Sequence, residues 1–447
     1  MYTLLIKQFF RSKTVVLALT ILGLLGGVSI STGRQFLNQK QVAVEKTIQQ
    51  QKKHLTTQVQ LHKDDIGLLM YYLKFSLIKS LKPISGLAIG QSDVHTHIQN
   101  VSILNLEGQK YDTDLINPMR LQVGNLDFSF LVIFLFPLVI IALNFNILSE
   151  EEEKGTWKMV TIQGGAPLKY LVAKLVIRFL LVTSVLFLLL VLSKIVLKIP
   201  LDTDLWHMAL ISFLYILCWF LISFVIILLR KSSNANAIIM LTTWLILVVF
   251  LPVLVNNYIT HTYSVEEAFS MTIKQRDAYH KKWDTDKRAT MEKFYHHYPQ
   301  FKKYGVQEKG FSWLWYYAMQ QMGDDQSKSE RQLMYRKIEK REKLGKAIAK
   351  FFLPLQVLLS MNSIAKTSLA DHVQFLNATT DFHEKLRLDF YPKIFDNVTT
   401  ANVNWKTYVP EYFTPENSHR LLKSIFPMIL ILVLLIGVSC IIGFKKF

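Results

Sequence analysis

Six apolar segments, each long enough to cross a lipid bilayer as a helix, constrain this chain more than any other feature. The hydrocarbon core of a bilayer is about 30 Å thick, and about 20 mainly apolar residues span it as a helix. The six segments are Thr14–Ile30, Phe128–Leu148, Tyr170–Val196, Leu205–Leu229, Ala235–Asn257 and Ile425–Phe444. Soluble helices seldom stay apolar on every face for such lengths. The sequence therefore predicts an all-α polytopic membrane protein with six transmembrane helices.

The rest of the chain forms two long polar insertions, which we expect to be mainly helical and extracytoplasmic. The predicted organisation is an interfacial elbow helix and first crossing (1–30), a first insertion (31–127), four crossings (128–257) with a cytoplasmic loop (149–169), a second, larger insertion (258–424), and a last crossing with a short tail (425–447). The first segment could instead be a cleaved secretory signal. Its apolar run is longer than a usual signal core, so an uncleaved anchor is preferred.

Local patterns within the insertions predict three elements. Leu68–Leu81 has the composition of a helix that ends before Pro83. Short alternating runs within Asn100–Asp114 predict a small strand or hairpin. Ser327 and Glu330 have the spacing of a capping box that opens a helix.

The basic charge of the chain is distributed as membrane topology requires. The formal net charge is +18, which by itself would suit a nucleic-acid partner. Many of the lysines and arginines, however, cluster at one set of segment ends, which is the positive-inside pattern. The remaining basic residues of the insertions alternate with acids, as on a solvated surface. We therefore expect both termini in the cytoplasm, contacts with membrane lipids, and no nucleic-acid partner.

The loop between the second and third segments is the strongest functional signal. It carries four consecutive acids and a following Gly-Thr pair: Glu150, Glu151, Glu152, Glu153, Gly155 and Thr156. Such a cluster has no use in hydrocarbon, so its expected partner is a soluble protein at the membrane face. The alternative is an ordinary solvated helix start, where acids favour the positive end of the helix dipole.

Polar residues inside the segments are few. Asn144 and Asn146 lie near one end of the second segment, where interhelical hydrogen bonds are the preferred role over contact with a translocated substrate. Arg178 lies near the same end of the third segment, and we expect it to snorkel to the interface. Pro137 interrupts the second segment and predicts a kink.

Several chemistries find no support in the sequence. There is no phosphate-binding loop of the nucleotide-hydrolase type, and no carboxylate lies within the six segments, which disfavours an ion-coupled carrier. His95, His97, His296 and His297 could be drawn as metal ligands, but exposed loop histidines are the preferred interpretation. We expect no metal, no cofactor and no catalytic residue in the chain itself.

A resemblance to a known family rests on these residues. The run Gly124–Phe128, the pair Pro137-Leu138, and the loop from Leu148 through Gly155-Thr156 resemble type-two ABC transporter permeases. The chain is most similar to a bacterial branch with large extracytoplasmic loops, which also shows stretches like Gly86–Asp93, Phe294–Pro299 and Phe382-His383.

The resemblance implies a half-transporter of the bacterial cytoplasmic (inner) membrane. Two such subunits, identical or similar, would pair and sit on a dimer of cytoplasmic ABC ATPase subunits, which would bind the ATP. The loop would hold the coupling helix that docks on the ATPase, and the most direct role would be export. Two alternatives stay open: a mechanotransmission subunit that drives external conformational change without moving cargo, and a membrane-anchored sensor or scaffold.

Overall fold

The structure is a computed structural model that describes residues 11–110, 124–164, 167–267, 270, 273, 277, 286–416 and 421–446. Its elements, in chain order, are α1 (Lys13–Leu61), α2 (Ile66–Tyr72), β1 (Phe75–Lys79), β2 (Ile98–Val101), α3 (Leu106–Lys110), α4 (Phe128–Glu153), α5 (Trp157–Gly164), α6 (Pro167–Leu197), α7 (Thr203–Ile227), α8 (Ser233–Thr262), α9 (Lys287–His297), α10 (Trp313–Ala349), α11 (Leu353–Ile364), α12 (Leu369–Phe395), β3 (Glu411–Phe413) and α13 (Leu421–Lys446). The predicted elbow helix lies mostly outside the described residues.

Six of these helices are long and apolar enough to cross a membrane, which confirms the predicted number of spans: α1, α4, α6, α7, α8 and α13. They form a bundle around one apolar core. The first is a single helix of 49 residues. At 1.5 Å per residue it is about 74 Å long, more than twice the thickness of a bilayer core. The polar stretch Gln35–Leu61 therefore continues the first membrane helix without a break.

The two insertions fold together as one unit, which we call the head domain (residues 35–110 and 286–416). Strand β1 of the first insertion pairs antiparallel with β2 and parallel with β3 of the second insertion. A second core joins residues from both insertions. Arg387 on α12 is fully buried, pairs with Asp324 on α10 at 2.9 Å, and donates to the carbonyls of Ile103 and Leu104. Neither insertion could bury these groups alone.

Two local predictions within the head domain are wrong. The helix expected over Leu68–Leu81 stops at Tyr72, and Phe75–Lys79 is a fully buried strand. Ser327 opens no helix, because it lies within α10 and its hydroxyl donates to the carbonyl of Gly323. Of the strand or hairpin expected within Asn100–Asp114, Asn100 and Val101 belong to β2, Leu106–Lys110 is helical, and residues 111–114 lie outside the described part.

The head domain joins the bundle through a buried carboxylate, Asp127. Asp127 precedes α4, is 3% exposed, and accepts hydrogen bonds from the amide of Phe130 and the hydroxyl of Ser129. Its second oxygen accepts the amide of Ile89 at 2.8 Å. In return, the amide of Ser129 donates to the carbonyl of Leu87. The start of α4 is thus tied directly to the segment that follows β1.

Pro137 follows a π-helical turn of α4, and neighbouring helices satisfy the backbone groups of that region. A proline has no amide hydrogen, so the carbonyl four residues earlier, on Ile133, loses its helical partner. The hydroxyl of Tyr215 on α7 donates to this carbonyl at 2.9 Å. The turn Leu131–Leu135 is π-helical, and the indole of Trp244 on α8 donates to the carbonyl of Phe134. Polar groups inside a membrane need such internal partners.

Close approach of α1 to the head domain depends on Gly33. A Cβ at this position would overlap the carbonyl oxygen of Gly86. Because both atoms belong to backbone, neither can move without shifting a whole segment. We expect Gly33→Ala to destabilise the protein by about 1–3 kcal/mol. The thermal midpoint of the detergent-purified protein measures this loss.

Gly27→Ala is the matched control, since a Cβ there would meet nothing within 4 Å on the same helix. It should leave the midpoint unchanged or raise it, because alanine is the better helix former by about 1 kcal/mol. Equal midpoints for the two variants would contradict the close approach.

Candidate functional site

The loop between α4 and α6 is a compact helical hairpin, which we call the acidic hairpin (residues 149–164). The last turn of α4 carries the four acids, and α5 follows after Gly155. Gly155 adopts φ +74°, a left-handed conformation that side chains with a Cβ rarely take. The amide of Gly155 donates to the carbonyl of Glu152. This glycine therefore makes the sharp turn between the two helices.

Each of the four acids has a partner within the chain. Glu150 pairs with Lys154 at 2.5 Å, and Glu151 pairs with Lys174 on α6 at 2.6 Å. Glu152 receives two hydrogen bonds from Arg230, in the turn before α8.

Glu153 also reaches the start of α8. Its carboxylate accepts both the amide and the hydroxyl of Ser233, at 2.8 and 2.9 Å. Thr156 donates its hydroxyl to Glu151. The acids thus bind the end of α4 to the adjacent ends of α6 and α8.

The surface that the hairpin presents to solvent carries an apolar pair beside its charged residues. Ile162 is 83% exposed and Met159 is 62% exposed, while Trp157 on the same helix is buried and anchors it. Met159 and Ile162 are three residues apart, so they share one face of α5. The sequence analysis did not predict this pair, because the four neighbouring acids are the stronger local pattern. Two apolar residues in a short exposed helix were the available signal.

The two asparagines do not make the interhelical hydrogen bonds expected of them. Asn144 is completely buried, and neither of its side-chain polar atoms has a hydrogen-bond partner. Asn146 donates to Glu150 on its own helix at 2.7 Å. The interhelical bond comes instead from Asn236 on α8, which donates to the carbonyl of Phe145. An unsatisfied buried amide costs about 1–3 kcal/mol, so Asn144 is the unusual residue of this region.

Behind the hairpin lies a cavity of 390 Å³ between α1, α4 and α6. Its polar lining includes Asn146, Glu150, Glu151, Lys174 and Arg178. Arg178 lines this cavity and donates to the carbonyl of Leu143 on α4.

The histidines considered as metal ligands lie apart. His95 stacks on His372 of α12, with ring centroids 3.9 Å apart, and His97 lies 3.2 Å from the ammonium of Lys40. His95 and His97 are part-buried, although exposed positions were expected. His297 contacts the carboxylate of Asp325 on α10. Within the described ranges, no group of three histidine, cysteine or acidic residues is arranged to hold a metal ion.

Comparison with known proteins gives one match. Residues 269–413 match a family described as a domain of unknown function (DUF3526). The matched region ends at the last residue of β3 and so covers most of the second insertion, but not the acidic hairpin. No curated protein and no solved structure matches the chain. Function must therefore be argued from the geometry.

The ion pair between Glu151 and Lys174 should hold the base of the hairpin in place. Both side chains are less than one-fifth exposed. We expect Glu151→Gln to weaken this attachment by about 1 kcal/mol, which raises amide exchange in residues 154–162 roughly fivefold. Hydrogen-exchange mass spectrometry of the purified protein reports this change.

Glu150→Gln is the matched control, because both partners of Glu150, Lys154 and Asn146, lie one helical turn away in the same stretch of chain and reach no other membrane helix. Its effect on exchange in the same residues should be smaller. An equal or larger effect would contradict the role assigned to Glu151.

The stacked histidines predict acid sensitivity of the head domain. Burial, with a contribution from Lys79, lowers the pKa of His95 to about 4 and the pKa of His372 to about 3. An unfolded histidine has a pKa of about 6.5. The folded state therefore binds fewer protons below that value, and the stability present at higher pH is lost as pH falls from about 6.5 toward 4.

We expect the thermal midpoint to fall between pH 7.5 and 5. The fall should be smaller in His372→Phe, which keeps a stacked ring but cannot be protonated. His296→Phe replaces an exposed histidine, and its thermal midpoint should fall as much as that of the wild type. An unchanged fall in His372→Phe would contradict this assignment.

Proposed function

We propose that this chain is the permease subunit of an ATP-driven transporter of the ABC type, most simply an exporter. One observation carries the proposal: the acidic hairpin has an apolar tip, formed by Met159 and Ile162, on a base that Glu151, Glu152 and Glu153 attach to neighbouring helices. Met159 and Ile162 are exposed on a helix whose base is fastened to three membrane helices. A partner that pushes on this tip would move α4, α6 and α8 together.

The proposal assigns the acids and the tip different tasks. Glu151, Glu152 and Glu153 transmit force within the chain, whereas Met159 and Ile162 contact the partner. Apolar anchors at the centre of an interface usually contribute most of its binding energy. The partner is a cytoplasmic ATPase dimer, and ATP binds there and not to this chain.

The arrangement in the membrane follows from this assignment. The hairpin and both termini face the cytoplasm of a bacterium, and the head domain lies beyond the opposite face of the inner membrane. A second permease subunit, identical or similar, completes the pathway. The exposed flanks of the bundle favour such a second copy, because they offer apolar helix faces against which it could pack.

The test is a double variant, Met159→Glu with Ile162→Glu. Two carboxylates at the tip cannot be buried in an apolar interface without a large cost. We expect roughly tenfold or greater loss of the ATPase subunit that co-purifies with the tagged chain from its own cells, with a matching loss of ATP hydrolysis. Membrane insertion should be unchanged.

Val409→Glu is the matched control, because Val409 is 65% exposed on the head domain. It should retain the ATPase. Retention of full ATPase coupling in the double variant would contradict the assignment of the tip. The absence of any nucleotide-binding protein from the wild-type preparation would instead favour a sensor or scaffold.

Mechanotransmission is the second candidate, and the continuous helix α1 favours it. One helix of 49 residues runs from the bundle into the head domain, so displacement at one end is carried to the other. In proteoliposomes with the ATPase, an exporter moves a ligand between compartments. A mechanotransmission subunit would change the head domain during ATP turnover while no ligand crosses.

A further inference from the structure

A second cavity, at the opposite end of the bundle from the hairpin, has an unusual lining. Its volume is 520 Å³, and it lies between α1, the end of β1 and the end of α6. Four of its lining residues are cationic: Arg34, Lys40, Lys79 and Lys198. None of the described residues that line it is acidic. The lining thus concentrates positive charge.

The burial of Lys79 makes its positive charge energetically costly, because its ammonium is largely removed from water. It is the last residue of β1 and is only 5% exposed. In the described part of the chain, its ammonium forms no hydrogen bond or ion pair. Burial lowers the pKa of Lys79, and Asp371 opposes that shift only from a distance, since its carboxylate caps α12 through Ser368. A buried charge of this kind normally has a counter-ion.

The cavity is built by fixed backbone rather than by mobile loops. The amide of Lys79 donates to the carbonyl of His97, and the amide of Ser80 donates to the carbonyl of Phe413. On the other wall, Lys40 contacts the ring nitrogen of His97 at 3.2 Å. These contacts hold the backbone of Lys79 and the side chain of Lys40 in place before any ligand arrives, which reduces the entropy cost of binding.

The position of the cavity identifies the ligand class. Arg34 follows the apolar run of α1 by about one helical turn, and Lys198 follows directly on the last residue of α6. The side chains of these two residues make no hydrogen bond or ion pair with any described residue. Cations at the ends of membrane helices lie at the level of the lipid headgroups.

Aliphatic side chains continue from the cavity toward the membrane. On α6, Ile195 is 66% exposed and lies one turn before Lys198, and Leu192 is 41% exposed one turn further. On α1, Val28 is half exposed. A ligand with a phosphate at the cavity and hydrocarbon chains along these faces would match both parts of the surface.

We propose that this cavity binds the phosphate headgroup of an anionic phospholipid in the leaflet next to the head domain, with its acyl chains along α1 and α6. The phosphate would compensate Lys79 and contact Arg34 and Lys198. The bound lipid would fill the space between the head domain and the bundle. This proposal does not depend on an ATPase partner, so it can fail or succeed independently of the transport function.

The experiment compares phosphatidylglycerol with phosphatidylcholine on the full-length detergent-purified protein. Native mass spectrometry counts retained lipids, and the thermal midpoint reports stabilisation. We expect selective retention of phosphatidylglycerol, and a roughly tenfold loss of that preference in the double variant Arg34→Gln with Lys198→Gln. Both residues are exposed, so the variant should fold normally.

Two further measurements separate the outcomes. Lys79→Met should raise the midpoint of the lipid-free protein and remove its response to phosphatidylglycerol. Lys169→Gln, an exposed cation at the other end of α6, is the charge-matched control and should retain the lipid preference.

Three results would overturn the proposal. They are equal retention of the two lipids by the wild type, unchanged preference in the Arg34/Lys198 variant, and equal stabilisation by millimolar inorganic phosphate. The last result would identify a soluble anion rather than a lipid as the ligand.

Discussion

The connection between the head domain and the helix bundle depends on the carboxylate of Asp127. It caps the start of α4 and at the same time holds the amide of Ile89, which belongs to the segment after β1. That segment contacts the top of the bundle, and the hydroxyl of Thr367, which follows α11, donates to the carbonyl of Ala88. The head domain is therefore fastened to the membrane helix that carries the acidic hairpin at its far end.

The same helix is fastened at its other end by charge. Glu151 reaches α6, and Glu152 and Glu153 reach the start of α8. Isolated surface ion pairs contribute little to stability, but several pairs at adjacent helix ends fix their relative positions. A single helix with both ends held in this way can carry displacement over its whole length. This property serves an exporter and a mechanotransmission subunit equally well.

The parts of the fold that sequence could predict are those with local causes. Long apolar runs identify the six spans, and a missing amide at Pro137 identifies the disturbed turn. Strand β1 was mistaken for helix because its partner β3 lies more than 300 residues further along the chain. Ser327 was mistaken for a cap because tertiary packing continues α10 through it.

In the candidate site, too, the features with local causes could be predicted from the sequence and those that depend on distant residues could not. Its location follows from two apolar runs that flank a short acidic loop, and the sequence places Lys174 and Arg230 only among the basic residues near segment ends. Their contacts with Glu151 and Glu152 require helices that are separate in sequence to end at the same level in space. Spacing along one helix carries no such information, so the intramolecular role of the acids emerged only from the structure.

The repair of the proline site determines how α4 can move. A free carbonyl on Ile133 would leave a flexible point in the middle of the helix, where the two halves could bend independently. The hydroxyl of Tyr215 and the indole of Trp244 instead bind this turn to α7 and α8. Since α8 is also held at the hairpin by Glu153, α4 contacts it at two levels. Bending α4 alone would break both bonds inside an apolar core, at a cost of several kcal/mol. Force on the hairpin would therefore act on α4, α7 and α8 as one body, and the pair between Glu151 and Lys174 would carry it to α6.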